Sequence, residues 1–131
     1  MKNVVHCKQA AHDVYVGRGS MWGNPYTHIK NKKTMAKHIV ADREAAIRSY
    51  WEHLKSQLRS GEVTLDQLAS LEGKVLGCWC APLHCHAEIL ATAAHYAAVT
   101  NFAMVAHYAA VTDEEVEWVI ERTQRYVNGM F

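Results

Sequence analysis

The sequence predicts a small α/β domain, in which a short, mostly parallel sheet is flanked by helices as a three-layer, Rossmann-like sandwich. Three short apolar segments have the form of strands, at residues 4–7, 13–19 and 74–80. Helix-type spacing of apolar residues fills the long intervals after the second and third segments. Strands that alternate with helices favour parallel pairing, because a parallel connection needs a crossover long enough for a helix.

The longest predicted helix runs from Thr34 to about Arg59. Its apolar residues recur at three- and four-residue spacing, and Gly61 lies where a C-terminal cap is expected. Arg43 falls beside this apolar stripe. Such an arginine either packs its stem along the helix or reaches toward a site.

Three shorter helices are predicted after Gly61. TLDQ at 64–67 and TDEE at 112–115 have the form of a capping box, and each therefore marks a helix start. Gly73 is expected to close the first of these helices, and Gly129 the last. The alanine-rich segment 85–99 predicts the helix between them.

The composition is that of one globular domain, with 131 residues, half of them apolar, and a formal charge of +1. We expect a single domain over 1–131, made of a core, 1–98, and a helical extension, 99–131. AHYAAVT occurs at 94–100 and again at 106–112, which favours a local duplication. The charge does not indicate a nucleic-acid or membrane partner. We expect a cytoplasmic protein with reduced cysteines, either monomeric or homo-oligomeric.

Two polar segments follow predicted strands. GRGSMWGNP at 17–25 follows the second strand, and CAPLHCH at 80–86 follows the third. Parallel strands bring their carboxyl ends to one edge of a sheet, where open α/β sheets bind ligands. The sequence therefore predicts one crevice, formed by the 17–25 loop and the 80–88 strand–helix turn.

The loop carries groups that suit a nucleotide-like ligand. Gly19 allows a ligand to approach the backbone closely, and Arg18 offers a forked cation for phosphate or carboxylate. Trp22 offers a flat face for a base, while Ser20 and Asn24 add hydrogen-bonding groups. The alternative is a structured turn whose tryptophan fills the core and whose arginine is solvated.

The turn carries a candidate catalytic group. Cys85 starts a helix, where unpaired amides and the helix dipole lower the pKa of a thiol. His86 is adjacent and Glu88 lies one turn further, so the three predict a nucleophile, a base and its partner. The same helix end could instead bind an anion.

A zinc site is the alternative use of the turn. Cys78, Cys80, Cys85 and His86 could supply four ligands, with His84 as a further one, although C-x-C is not the usual knuckle spacing. Without a metal, Cys78 and Cys80 are expected to be small buried apolar residues.

VYVGRGSMWGNPY and LGCWCAPLHCHAEIL together resemble the two signatures of DUF4326, a family of uncharacterised domains from bacteria and their phages. The resemblance spans about Val14 to Leu90, and it leaves the activity open. Ala87 and Glu88 stand where the family pattern has glycine and aspartate, so an acid is kept on a longer side chain. The resemblance implies a shared site at Arg18, Ser20, Trp22, Gly23, Asn24, Pro25, Cys78, Trp79, Cys80, Pro82, Cys85 and His86.

We therefore expect the crevice to bind a nucleotide, a nucleoside or a related phosphate-bearing small molecule, without a cofactor. If the protein is an enzyme, the expected reaction is transfer or hydrolysis at a glycosidic or phosphoryl position. Two alternatives stay open: a zinc-stabilised binding module, and a non-catalytic protein-interaction adaptor that acts in the host cytoplasm if it is phage-encoded.

Overall fold

The computed structural model describes residues 4–27, 29, 38–80, 83–103 and 112–131, which form a mixed α/β fold. Its strands are β1 (Val4–His6), β2 (Val14–Tyr15), β3 (Tyr26–Thr27), β4 (His38–Ile39) and β5 (Leu76–Cys78). Its helices are α1 (Arg43–Ser60), α2 (Leu65–Ala69), α3 (His86–Ala103) and α4 (Asp113–Asn128). Within these ranges, no helix is long and apolar enough to cross a membrane.

The predicted strands form a small parallel sheet in the order β1–β5–β2. In the central strand, Leu76 pairs with Val4 on one side and with Val14 on the other. Leu76 and Cys78 are buried in the core, as expected for a central strand of a parallel sheet. Between them, a Cβ on Gly77 would lie within 3 Å of the His12 ring, so His12 covers the opposite face there.

A second parallel pair of strands was not predicted. Tyr26 pairs with His38, and Thr27 with Ile39, as β3 and β4. The rings of Tyr26 and His38 stack, with 5.0 Å between their centroids. This pair of strands follows directly on the 17–25 loop, because β3 begins at Tyr26.

The prediction that a helix begins at Thr34 is wrong over residues 38–42, and residues 34–37 lie outside the described part of the chain. The helix begins instead at Arg43, because the Asp42 carboxylate accepts a hydrogen bond from the Ala45 amide at 2.7 Å. Ile39 matched the helical spacing, yet it lies in β4 and is 56 % exposed.

Removal of this cap is expected to weaken the protein. Asp42→Ala should lower the free energy of unfolding by about 1 kcal/mol, because the Ala45 amide loses its acceptor. Urea unfolding followed by circular dichroism measures the loss. Asp42→Asn keeps an acceptor and should behave like the wild type, so equal losses in both variants would contradict the capping role.

The other predicted helix signals are confirmed except for Gly73. Gly61 caps α1 with a φ of 82°, and Thr64 forms a complete capping box with Gln67. α2 ends at Ala69 with Ser70 as its C-cap, so it closes before Gly73, where its end was predicted. The Thr112 hydroxyl accepts the Glu115 amide at the start of α4, which ends just before Gly129.

α3 is the central helix. It packs against α1, α2 and α4, and also against β1 and β5. Its small residues Ala87, Ala93, Ala94 and Ala97 are fully buried, which lets these neighbours approach closely. Val119, Ile120 and Val127 bring α4 into the same core. The first AHYAAVT copy lies within α3, whereas 106–111 of the second copy lie outside the described residues.

Candidate functional site

The two polar segments line one cleft of about 230 Å³. β2 and β5 are parallel neighbours, so the segments that follow them emerge at the same edge of the sheet. The start of α1 and the β3 strand supply the remaining walls. This confirms that the loop and the turn meet, and the residues that define the cleft chemically are Arg18, Asn24, Arg43, Trp79, Cys80 and His84.

Arg18 folds back along its own loop. Its Nε donates to the carbonyl of Asn24 and its Nη2 donates to the carbonyl of Tyr26, both at 3.0 Å. Two of the five N–H donors of the guanidinium are therefore used by the backbone. These bonds fix a permanent positive charge at the wall of the cleft.

Ser20 and Asn24 also stabilise the loop. The Ser20 hydroxyl donates to the carbonyl of Gly17 at 2.6 Å. The buried Asn24 side chain donates to the carbonyl of Ala46 at 3.1 Å and accepts the Tyr26 amide at 2.9 Å. Asn24 thereby ties the loop to α1, which is a structural role, and its role in ligand binding stays a prediction.

Two glycines of the 17–25 loop, Gly19 and Gly23, have different surroundings. Gly19, with a φ of 96°, lines a neighbouring polar groove with Ser20. A Cβ on Gly23 would lie 2.9 Å from the Gly17 carbonyl oxygen and from Arg18 Cα. The chain therefore needs glycine at position 23 for the loop to close on itself.

Trp22 is a core residue and Trp79 is the aromatic residue of the cleft. Trp22 is only 6 % exposed, and its carbonyl accepts the Tyr50 hydroxyl at 3.0 Å. Trp79 is 54 % exposed, lines the cleft and donates from Nε1 to the Tyr15 hydroxyl. The expectation that Trp22 stacks on a ligand is not supported, because its indole is buried among core residues.

His86 joins the turn to the end of β2. Its Nε2 donates to the carbonyl of Val16 at 2.7 Å, and its ring packs edge-on against Tyr50 with a centroid distance of 4.8 Å. Burial lowers the pKa of His86 to about 4. At this pKa the ring accepts a proton poorly, and its Nε2 is held by the backbone, which does not support the predicted role of base toward Cys85.

Glu88 is paired with His84 and not with Cys85. Its carboxylate is buried and lies 2.8 Å from His84 Nδ1. It also accepts the Tyr126 hydroxyl at 3.4 Å. Burial and then the Glu88 charge raise the pKa of Tyr126 to about 12. The four-residue spacing between His84 and Glu88 was the sequence signal for this pair, although His84 lies before the first residue of α3.

The cysteines of the turn form a cluster in which Cys80 has the properties predicted for Cys85. Cys85 is buried, with its Sγ 3.0 Å from Cys78 Sγ. Hydrogen bonds with Cys78 and Cys80, and then burial, raise the pKa of Cys85 above its ordinary range. Cys80 is half-buried in the cleft wall. A hydrogen bond from Cys85 and the guanidinium of Arg43 lower the pKa of Cys80 to about 6.

The zinc alternative gains no support from this arrangement. In the part of the chain that the structure describes, no three His, Cys, Asp or Glu side chains are grouped to hold a metal ion. Within the set Cys78, Cys80, Cys85 and His86, the histidine turns to the Val16 carbonyl. The thiols instead contact one another.

Fold and site together define a small α/β domain with an arginine-lined cleft and a cluster of thiols at one wall. The chain belongs to the family Domain of unknown function (DUF4326), whose model matches residues 2–96 and so confirms the resemblance. It is 34 % identical over 88 residues to an uncharacterised 12.4 kDa protein from the nrdA–td intergenic region of Enterobacteria phage T4. That match covers 67 % of this chain and 72 % of the phage protein. No solved structure matches the chain.

Proposed function

We propose that the cleft binds a small ligand, namely a nucleotide, a nucleoside or a related phosphate-bearing molecule. The observation that carries this proposal is the joint presence of Arg18, Arg43 and an exposed Trp79 in the walls of one cleft. Arginine suits a phosphate group, and an exposed aromatic ring suits the stacking of a base.

The arginines supply the anion-binding part. Arg18 is held by backbone carbonyls, so little side-chain entropy is lost when it binds a phosphate. Arg43 occupies the first position of α1, where the positive end of the helix dipole adds to its charge. An arginine is suited to paired hydrogen bonds with phosphate or carboxylate oxygens, each stronger than a bond between neutral groups.

Trp79 supplies the stacking surface. Its indole nitrogen is fixed by Tyr15, and the His6 ring supports it edge-on at a centroid distance of 5.6 Å. The ring is therefore oriented while more than half of it stays exposed. Stacking of a base on such an aromatic side chain contributes about 1–3 kcal/mol.

The size of the cleft favours a small ligand. Its 230 Å³ lies just below the roughly 300–1,000 Å³ that are usual for small-molecule sites. A nucleoside, or the head of a nucleotide whose remainder extends into solvent, is the size that fits.

Two finer predictions belong to the same proposal. One is a three-layer, Rossmann-like sandwich, which the parallel order β1–β5–β2 and the cleft at the strand ends support. The other is a cytoplasmic location, which the four free cysteines support.

Ligand binding is tested by thermal shifts, since a ligand that binds only the native state raises the unfolding midpoint. We expect a rise with nucleosides or nucleotides that inorganic phosphate and ribose 5-phosphate do not match. Arg43→Ala should weaken binding about ten- to a hundredfold through the loss of charged hydrogen bonds, each worth about 1.5–3 kcal/mol.

Arg48→Ala is the matched control, because Arg48 lies on the same helix and pairs with Glu44 at the surface. This variant should bind the ligand like the wild type. The proposal fails if no compound of the panel raises the midpoint, or if Arg43→Ala and Arg48→Ala lose the same affinity.

A further inference from the structure

We propose that Cys80 is a peroxide-reducing thiol and that Cys85 resolves its oxidised form into an intramolecular disulfide. The substrate class is a small hydroperoxide that enters the cleft. This activity is separate from nucleotide binding, and it requires no stacking on Trp79.

Cys85 contacts the two other thiols of the turn, those of Cys78 and Cys80. Cys78 Sγ lies 3.0 Å from Cys85 Sγ, and Cys85 also hydrogen-bonds to Cys80. Cys80 and Cys85 both line the cleft, but Cys80 is half-buried, whereas Cys85 is only 2 % exposed and Cys78 only 1 %. The cluster therefore has one thiol that a substrate can reach and a second thiol directly behind it.

The surroundings of Cys80 favour its thiolate. The Cys85 S–H donates to it, and the guanidinium of Arg43 contacts it, with the charge of Arg18 nearby. A partly exposed thiolate between cations is the form of cysteine that reacts with peroxides. The same cations are placed to stabilise the negative charge that develops on the leaving oxygen.

In the first step, the Cys80 thiolate attacks one oxygen of the hydroperoxide. An S–O bond forms while the O–O bond breaks, and the leaving oxygen takes a proton from water. The peroxide is reduced to an alcohol or to water, and Cys80 is oxidised by two electrons to a sulfenic acid.

In the second step, Cys85 attacks the sulfur of Cys80. The S–S bond forms, the S–O bond breaks, and the hydroxide released combines with the Cys85 proton to give water. Loss of the Cys80 thiolate also removes one of the groups that raise the pKa of Cys85. Cys78, in contact with Cys85, can then exchange with this disulfide and release Cys80 as a thiolate. An added dithiol restores the reduced protein by two thiol–disulfide exchanges.

The test uses the reduced, full-length chain and an equimolar amount of hydrogen peroxide. Free thiols are blocked with one alkylating reagent, disulfides are reduced, and the thiols released are labelled with an isotopic form of the reagent. Cys78, Cys80 and Cys85 share one tryptic peptide, 75–122, so fragmentation spectra assign the label, whereas Cys7 lies on another peptide. We expect label on Cys85 together with Cys80 or Cys78, and none on Cys7.

Variants separate the roles of the thiols. Cys80→Ser should slow peroxide consumption at least tenfold, and Cys85→Ser should leave a sulfenic acid on Cys80 that dimedone traps. Cys7→Ser is the matched control and should keep the wild-type rate. The inference is overturned if Cys80→Ser consumes peroxide as fast as the wild type, or if Cys7 is oxidised as fast as Cys80.

Cys85 is part of the core, so its substitution disturbs packing as well as chemistry. One further measurement therefore uses no variant. Dimedone added to the wild type with the peroxide should compete with Cys85 for the sulfenic acid and should label Cys80. Absence of both adduct and disulfide would overturn the inference. The thermal-shift panel on the wild type tests ligand binding without any oxidation of thiols, and the labelling experiment tests the thiols without any nucleotide, so either proposal can fail alone.

Discussion

Trp22→Ala is expected to lower the free energy of unfolding by about 3–5 kcal/mol, as large-to-small changes of buried aromatic residues do. Trp22 is 6 % exposed and belongs to the main core cluster, so its removal leaves a cavity. The loss is a large part of the roughly 5–15 kcal/mol that stabilises a typical domain. Chemical denaturation followed by circular dichroism measures it.

Trp79→Ala is the matched comparison and should behave in the opposite way. Because Trp79 is 54 % exposed, its removal should cost within about 1 kcal/mol, mainly the hydrogen bond to Tyr15. Affinity for a base-containing ligand should fall instead, by about the 1–3 kcal/mol of one stacking contact. A destabilised Trp79→Ala beside a stable Trp22→Ala would show that the two tryptophans have been assigned the wrong way round.

The elements with local signals could be predicted from the sequence. Capping residues at Thr64 and Thr112 determine helix starts through bonds to amides three residues away, which a sequence displays directly. The meeting of the loop and the turn followed from parallel pairing of β2 and β5. Both inferences need only the order of residues and the geometry of a single element or pair.

The start of α1 and the β3–β4 pair could not be predicted in this way. Ile39 and Val40 repeat the spacing of a helix, but pairing of Thr27 with Ile39 depends on contacts between residues distant in the chain. Asp42 is the local signal for a helix that begins at Arg43 and not at Thr34, because aspartate is a favoured N-cap.

The chemical roles at the site depended on distances that the sequence does not contain. Cys85 at a helix start has the sequence pattern of an activated thiol, yet contact with other thiols and burial raise its pKa. The pKa of Cys80 is lowered first by its hydrogen bond with Cys85 and then by Arg43, which belongs to another element. Identical residue types at one turn thus acquire opposite properties from their neighbours.

The stability of the protein is expected to fall as the pH is lowered from about 6.5 to about 4, through His86. Burial lowers the pKa of His86 in the folded state from 6.5 to about 4. Between these pH values, His86 binds a proton in the unfolded chain but stays neutral in the folded chain. The stability contribution is therefore present above pH 6.5 and is lost as the pH falls through this window. A difference of this size corresponds to roughly 3 kcal/mol.

His86→Gln is the variant that isolates this effect. Glutamine can still donate to the Val16 carbonyl, but it carries no proton that titrates in this range. The variant should be less stable than the wild type at pH 7, because the ring no longer packs on Tyr50. Its stability should then change less with pH, so that the two proteins converge near pH 4.

Urea unfolding at pH 7, 6, 5 and 4 gives the difference in free energy between the two proteins directly. Carboxylates and the other histidines titrate in both proteins, so their effects cancel in this difference. If the free energies of unfolding of the two proteins converge by about 2–3 kcal/mol, His86 is a neutral side chain whose hydrogen bond joins α3 to the end of β2. A constant difference across this range would mean that His86 does not resist protonation in the folded state, and a role as an acid–base group in the cleft would have to be reconsidered.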